Sequence, residues 1–444
     1  MKKHLSTLLV LMLGLALVLS ACGNNSNKNE GASPSTSSPS ASPSAEPSAT
    51  PEPAKDPVEV TLAGWGSSPE EQALLQQVLD EFQAKNPDVK VKYEVIADQY
   101  MDVIKTRLIG GEAPDVFYLD AFEAPALIAK DVLEPLDSYV TDEFDTSDFE
   151  APMLNAFKSP DGKMYGFPKD YSTLALFYNK KMFADAGIAA PPATWDELQA
   201  DSEKLTKKNG DKVEVYGLGQ APELARQMFM IKAFGGQLSD SEGNATFATP
   251  EAEKGLALVV DQHNKAKTAG QPSDVGAGWG GEMLGQGKAA MVLEGNWAIP
   301  YLQSNFADLD FSTAEVPTVN GQKGTMAFTV AYVMNKNSEK KEAAWKLISY
   351  LTGKEGMKTW TSKGFALPTR KSVAAELGFD KDALRGALVA GGSYATPWQA
   401  GTTLPTIMNN FNNEFVAAYN NLSSLTDALK KAQDTANKEI KAGN

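Results

Sequence analysis

The chain has 444 residues, a formal net charge of −15, one cysteine and two histidines. That acidic balance excludes nucleic acid as a partner, because holding a phosphate backbone needs a basic patch. A lone cysteine excludes a disulfide framework, and so few His and Cys exclude zinc sites built on several such ligands.

In chain order, Lys2 and Lys3 precede an uncharged apolar run from Leu5 to Leu19, then Ser20-Ala21-Cys22. This is the layout of a secretory signal peptide over 1–21, too short for a membrane span. Residues 22–57 are mostly Asn, Ser, Pro, Ala and Thr with recurrent proline and no aromatic residue. Such a stretch cannot bury enough apolar surface to order itself, so it reads as an extended tether reaching roughly 100 Å. His4 leaves with the signal, so His263 is the one histidine of the mature chain, expected exposed on a helix.

From Val58 the composition is globular and the length suits two lobes. Val58 to Ala63 alternates as a strand, and Gly64-Trp65-Gly66-Ser67 turns the chain. Ser68-Pro69-Glu70-Glu71 combines an N-cap, an N1 proline and a capping-box Glu. Leu74, Leu75, Val78, Leu79 and Phe82 share one helical face, and Asn86-Pro87 ends that helix. Val89 to Val95 alternates again. A second helix carries Tyr100, Val103, Ile104 and Leu108 and stops at Gly110-Gly111. Pro114 precedes a strand from Val116 to Leu119. Alternating β and α elements imply an open α/β sheet, with ligand beyond the carboxyl ends of its strands, where Trp65 and Asp120 lie.

The second half repeats the style. Leu174 to Tyr178 is a strand, Thr194 to Glu197 a capping box opening a helix, Ala289 to Leu293 a buried strand entering Glu294-Gly295-Asn296-Trp297. Ala343 to Ile348 is helical, and Ser424 to Ile440 a capped helix. Gly276-Ala277-Gly278-Trp279-Gly280-Gly281 lacks dinucleotide-fingerprint spacing. Gly287-Lys288 lacks the first Gly and the Ser or Thr of a phosphate loop, so nucleotide binding is set aside. No G-x-S-x-G elbow occurs, which leaves a Ser-His-Asp hydrolase without its usual turn.

Leu19-Ser20-Ala21-Cys22 resembles a bacterial lipobox. The resemblance implies cleavage before Cys22 and a diacylglyceryl lipid of palmitate class on its sulfur, anchoring the chain to the outer face of the cell membrane; an ordinary signal with an incidental cysteine is the alternative.

A further set of motifs spans nearly the whole mature chain: Asn86-Pro87; Gly111-Glu112-Ala113-Pro114-Asp115-Val116-Phe117; Tyr165-Gly166-Phe167-Pro168-Lys169-Asp170; Phe177 to Phe183; Ala186-Gly187-Ile188; the segment ending Thr194-Trp195-Asp196-Glu197-Leu198; Gly287 to Met291 through Gly295-Asn296-Trp297; Ala343-Ala344-Trp345; and Leu367-Pro368. In this order they resemble the extracellular solute-binding proteins of family 1, the sugar-type receptors of ABC importers, with the maltose-binding proteins among them. The resemblance implies the two-lobed periplasmic-binding-protein type II (Venus flytrap) α/β fold, with lobe 1 at 58–170 and 315–369, lobe 2 at 171–314 and 370–444, and a hinge of about three crossings. It implies no catalysis and no cofactor: a monomer takes a carbohydrate, most naturally an oligosaccharide, into its cleft and delivers it to ABC permease subunits.

The resemblance also implies the ligand contacts. Trp297 matches a position that stacks on sugar in maltose-type relatives; a core tryptophan at a strand end is the alternative. Trp65 faces the cleft or packs on the helix after it. Asp120 meets ligand or caps a helix. Asp170 and Tyr171 lie at the inter-lobe crossing, as contacts or as hinge structure. Glu223 and Arg226 precede Gly235-Gly236 at the spacing of second-lobe contacts, although Ala225 and Arg226 replace the family's aromatics there. Trp398 and Trp279 complete the set. Trp195 and Trp345 fall at helix packing positions, and Asp115 and Asn179 are expected to fix loops. The same fold around a polyol phosphate, a polyamine or an iron complex is the first alternative, an exported glycoside hydrolase the second, and a sensor subunit the third.

Overall fold

The structure, a computed structural model, describes residues 56–65, 69–210 and 212–443. The signal segment, Cys22 and the tether up to residue 55 lie outside the described residues, as does Ser68, the expected helix N-cap. Lys55–Asn444 forms one compact unit.

Two mixed sheets organise it. In the first, Val58–Trp65 lies between Val89–Ile96 and Val116–Asp120, all parallel, and Met326–Met334 runs antiparallel beside Val116–Asp120. Gly166–Thr173 pairs antiparallel with Met326–Met334 on a separate path, and Thr396–Pro397 joins the edge of that strand. The second sheet runs Phe311–Ala314, Ala175–Asn179, Ala289–Glu294, Lys212–Gly219, Lys207–Asn209, with Ala269–Gly270 beside Lys212–Gly219. Among these, Lys212–Gly219, Ala269–Gly270 and Ala289–Glu294 are parallel.

The local chemistry behaves as the spacing predicts. Pro69–Lys85 buries Leu74, Leu75, Val78, Leu79 and Phe82 against Val60 and Leu62. Tyr100–Gly110 ends on Gly111 at φ 73°, where a side chain would be strained. Thr194 and Glu197 form a reciprocal capping box at the start of Trp195–Leu205. Ser424 Oγ accepts the Asp427 amide at the head of the last helix, Leu425–Gly443.

Asp115 takes the Thr61 amide and hydroxyl, the Ser338 hydroxyl and the Lys340 ammonium, tying the first sheet to the loop before a helix. Asn179 caps Lys180–Asp185 by accepting the Met182 amide. Trp195 is buried, and Trp345 packs among Tyr139, Phe144 and Phe167. His263 departs from expectation. It is half-buried, its ring stacks on Tyr419 at 4.1 Å, and Nδ1 lies 3.0 Å from the Ala269 carbonyl oxygen. The penultimate helix, Leu404–Tyr419, covers that face, a packing no local pattern reveals.

Leu174 is where the chain leaves the first sheet for the second. Its amide donates to Met326 O (3.1 Å) and its carbonyl accepts the Thr325 hydroxyl (2.7 Å), so outgoing and returning chains are bonded side by side. The division expected at 369/370 is not clean. Lys371–Leu377 packs Val373 into the first core, and Thr396–Pro397 extends the first sheet. After that strap the chain ends against the core of the second sheet through Ile407, Phe411 and Phe415.

Candidate functional site

In both sheets the polar residues gather where parallel strands end, since there the backbone stops pairing and side chains face a crevice. On the first sheet, Trp65 and Asp120 close their strands. Asp120 and Asp170 both sit opposite Val330, one on each side. Asp120 is half-buried, and its carboxyl is pushed up to about 6, chiefly by burial; the Phe122 amide opposes this, and repulsion from Glu123 and Asp170 adds to it. Asp170 is buried, accepts the Trp360 indole N–H at 2.7 Å and pairs with Lys169. The Lys169 ammonium lies 4.1 Å from the Trp360 ring centre and 4.9 Å from that of Tyr118. Trp65 meets Tyr100 and Tyr118 edge-on at 5.3 and 5.2 Å, and with Lys169, Trp360 and Glu71 encloses a cavity of ≈ 60 Å³. Its ring therefore packs on its own lobe.

The second sheet offers an open pocket of ≈ 450 Å³ at the ends of its parallel strands, lined by Glu223, Arg226, Gln271, Trp279, Glu294 and Asn412 among others. Arg226 donates to Leu293 O (2.9 Å) and to Glu294 Oε2 (3.1 Å), while Glu223 stands 4.0 Å from its Nε and remains largely exposed. Glu294 is 2 % exposed. Burial raises its carboxyl, against the charge of Arg226 and the N–H of Trp297. The Trp297 indole donates to the same Oε2 at 3.1 Å. Trp279 lies edge-on to Tyr301 at 4.8 Å.

The two sheets meet at the turn that carries Trp297. The Asn296 amide donates to Ser172 Oγ (2.7 Å) and its side chain to Gly364 O (2.7 Å). Trp297 is half-buried and sits edge-on to Phe328, a first-sheet residue, at 5.8 Å. Nearby, Trp398 is buried and stacks at 9° on Phe122, centres 5.9 Å apart. A gap of ≈ 640 Å³ then separates segments at 125–160 from the turn at 239–243.

The structure thus gathers Glu223, Arg226 and Trp279 around one pocket, with Trp297 behind its wall through Glu294, and Trp65, Asp120 and Asp170 at the edge of the other sheet. It seals Tyr171 in the core, its hydroxyl against Gly392, and buries Trp398. Sequence reasoning passed over Glu294, Lys169, Trp360, Phe122 and Phe328. Glu294 had a signal, a carboxylate ending an otherwise apolar strand; Lys169 pairs with its neighbour Asp170 but meets its rings, Trp360 and Tyr118, far away in the chain, as do the rest their partners.

Carboxylates and half-buried amides beside half-buried indoles suit a neutral, hydroxyl-rich ligand with apolar C–H faces. The two cations at these walls, Lys169 and Arg226, each already hold a carboxylate. Among the described residues no group of three His, Cys, Asp or Glu is arranged to hold a metal ion, and no helix is long and apolar enough to cross a membrane.

Comparison with known proteins agrees with this geometry. Residues 65–358 match the family of bacterial extracellular solute-binding proteins. The diacetylchitobiose-binding protein of Streptomyces coelicolor is 26% identical over 396 residues, 86% of this chain and 90% of that one. The maltotriose-binding protein of Pyrococcus abyssi is 26% identical over 293 residues, 64% of this chain and 60% of that one. An ABC substrate-binding protein of Listeria monocytogenes, solved in complex with cycloalternan, superposes with a TM-score of 0.76 at 27% identity, covering 87% of this chain and 99% of that one.

Proposed function

The chain belongs to the bacterial extracellular solute-binding proteins, and from that premise we propose that it is the substrate-binding component of an ABC importer, capturing a carbohydrate between two lobes and delivering it to a membrane permease. The observation that supports the reading is the pairing beside the second pocket: Arg226 and Glu294 line it, and the half-buried indole of Trp297 bonds the same carboxylate and reaches Phe328 of the other sheet. An indole face covers the C–H side of a pyranose, and charged groups grip its hydroxyls at roughly 1.5–3 kcal/mol per hydrogen bond. Micromolar binding requires about −8 kcal/mol, within reach of a few such contacts and two stacks.

Lobe 1 comprises 58–170 and 315–369, and lobe 2 comprises 171–314 and 370–444, with the Thr396–Pro397 strap returning to the first sheet. Ligand contacts on both lobes shift the population from open to closed, whereas a ligand touching one lobe shifts nothing. Trp65, Asp120 and Asp170 stand on one side, and Glu223, Arg226, Trp279 and Trp297 on the other, with Tyr171 and Trp398 backing them. The protein binds without turning its ligand over and works as a monomer. Cys22 carries the lipid that holds it to the outer face of the membrane, two acyl chains being enough for stable anchoring. Phosphate ligands are disfavoured because Arg226 and Lys169 are already neutralised by their partners.

The test is thermal melting of the chain from Gly23 onward with maltotriose, diacetylchitobiose, cycloalternan and galactooligosaccharides. A sugar at 100 times its dissociation constant should add about 2.7 kcal/mol of stability. A selective shift without product on long incubation supports the reading. A flat panel points to polyol phosphates or polyamines, and product formation makes the protein a hydrolase.

A further inference from the structure

Glu294 is the most buried carboxylate bordering the second pocket, and its two side-chain partners are Arg226, which lines that pocket, and Trp297, which stands next to it at the turn between the sheets. One oxygen, Oε2, accepts the Trp297 indole N–H and an Arg226 N–H, both at 3.1 Å. Arg226 is held again by the Leu293 carbonyl at 2.9 Å, so it does not swing with the ligand. The other oxygen, Oε1, lies against Gly280, where a Cβ would stand 2.5 Å from it. Gly280 has no left-handed backbone angle to explain a glycine there; what its missing side chain leaves is room for that oxygen. An indole has two apolar faces and one N–H, and anchoring the N–H fixes the plane in which the faces lie. A carboxylate does this better than an amide, because charge-assisted bonds are roughly twice as strong as neutral ones.

We infer that Glu294 is the positioning residue of this site: together with Gly280 it sets the plane of the Trp297 ring and the place of Arg226, so that ligand meets a preformed wall. The inference rests on the proposed ligand site and adds a residue that acts through others. Because binding energy lost to ordering a side chain is saved when the side chain is already ordered, the effect is read in affinity as well as in the ring itself.

The experiment uses the chain from Gly23 onward, labelled at tryptophan with ¹⁵N. Its seven tryptophans give seven indole N–H signals, with Trp297 assigned by its loss in Trp297→Ala. In the ligand-free protein, Glu294→Leu and, independently, Gly280→Ala should move the Trp297 signal and leave the Trp360 signal in place. Both should weaken binding of the panel sugar that raises melting most by about tenfold, while Glu294→Gln, which keeps an acceptor in the same place, stays within about threefold. In a Trp297→Ala background Glu294→Leu should cost much less, since residues acting as a unit are not additive. An unmoved Trp297 signal in both Glu294→Leu and Gly280→Ala overturns the inference, as does a full tenfold loss from Glu294→Leu without Trp297. Failure of the ligand site itself looks different: Trp297→Ala leaves affinity unchanged although the ligand-free indole signal still answers to Glu294.

Discussion

Each lobe holds the same small device in a different setting. In the first, Asp170 accepts the Trp360 indole N–H and pairs with Lys169; in the second, Glu294 accepts the Trp297 indole N–H and pairs with Arg226. The first is closed over. Its ammonium sits between the Trp360 and Tyr118 rings, and the space beside it, ≈ 60 Å³, has room for no more than about two waters. The second borders ≈ 450 Å³ of open pocket. Lys presents a compact charge that aromatic faces can surround, while Arg presents a planar fork that can bond a carbonyl and a carboxylate together. The same chemistry therefore faces a closed space on one side and an open pocket on the other, and the difference lies in what lies beyond the carboxylate.

Breaking the closed pair should cost most. Lys169→Met strands Asp170 in a buried site, and an unfolding titration should show a loss of about 3–5 kcal/mol. Arg226→Met should cost less, about 2 kcal/mol, because Glu294 borders a pocket and, with its carboxyl already raised, can escape its unpaired charge by taking a proton. In that variant sugar affinity should fall as well. A loss of stability equal to that of Lys169→Met would erase the contrast between the two walls.

A third change sharpens the contrast through pH. Asp120 holds its proton to about 6 in the folded protein, whereas an unfolded aspartate titrates near 4. The raised folded value means its contribution is fully present below about pH 4 and is lost as pH rises through about 6, by about 1–2 kcal/mol for a half-buried group. Asp120→Asn should flatten the stability profile across that window; an unchanged slope would remove Asp120 from the desolvated edge of the first sheet. The smallest effect belongs outside both devices. Thr194→Ala removes a capping box and should cost about 1 kcal/mol with no change in sugar affinity.

How much of this was legible before the fold depended on range. Thr194 and Glu197 are three residues apart and announce their helix by spacing alone, and so do the alternating residues of Val89–Ile96. The ordered motifs carried the family, and with it the two-lobed architecture. The long-range half of each device could not be read in this way. Trp360 reaches Asp170 across 190 positions, and Arg226 reaches Glu294 across 68. Trp65 stands at the expected strand end, and its edge-on contacts with Tyr100 and Tyr118 join residues that no local pattern links. Tyr171 and Trp398 lie in segments that link the sheets, and their burial there follows from contacts distant in the chain.

The most direct measurement is isothermal titration of the sugar that shifts melting most into the wild-type chain and Trp297→Ala. One site per chain is expected in the wild type. In the variant, affinity should be about thirtyfold weaker or worse, the scale of a loss of about 2 kcal/mol at a hot spot, with the melting temperature of the free protein nearly unchanged. Equal affinity in the two proteins would contradict a carbohydrate held at the Trp297 wall.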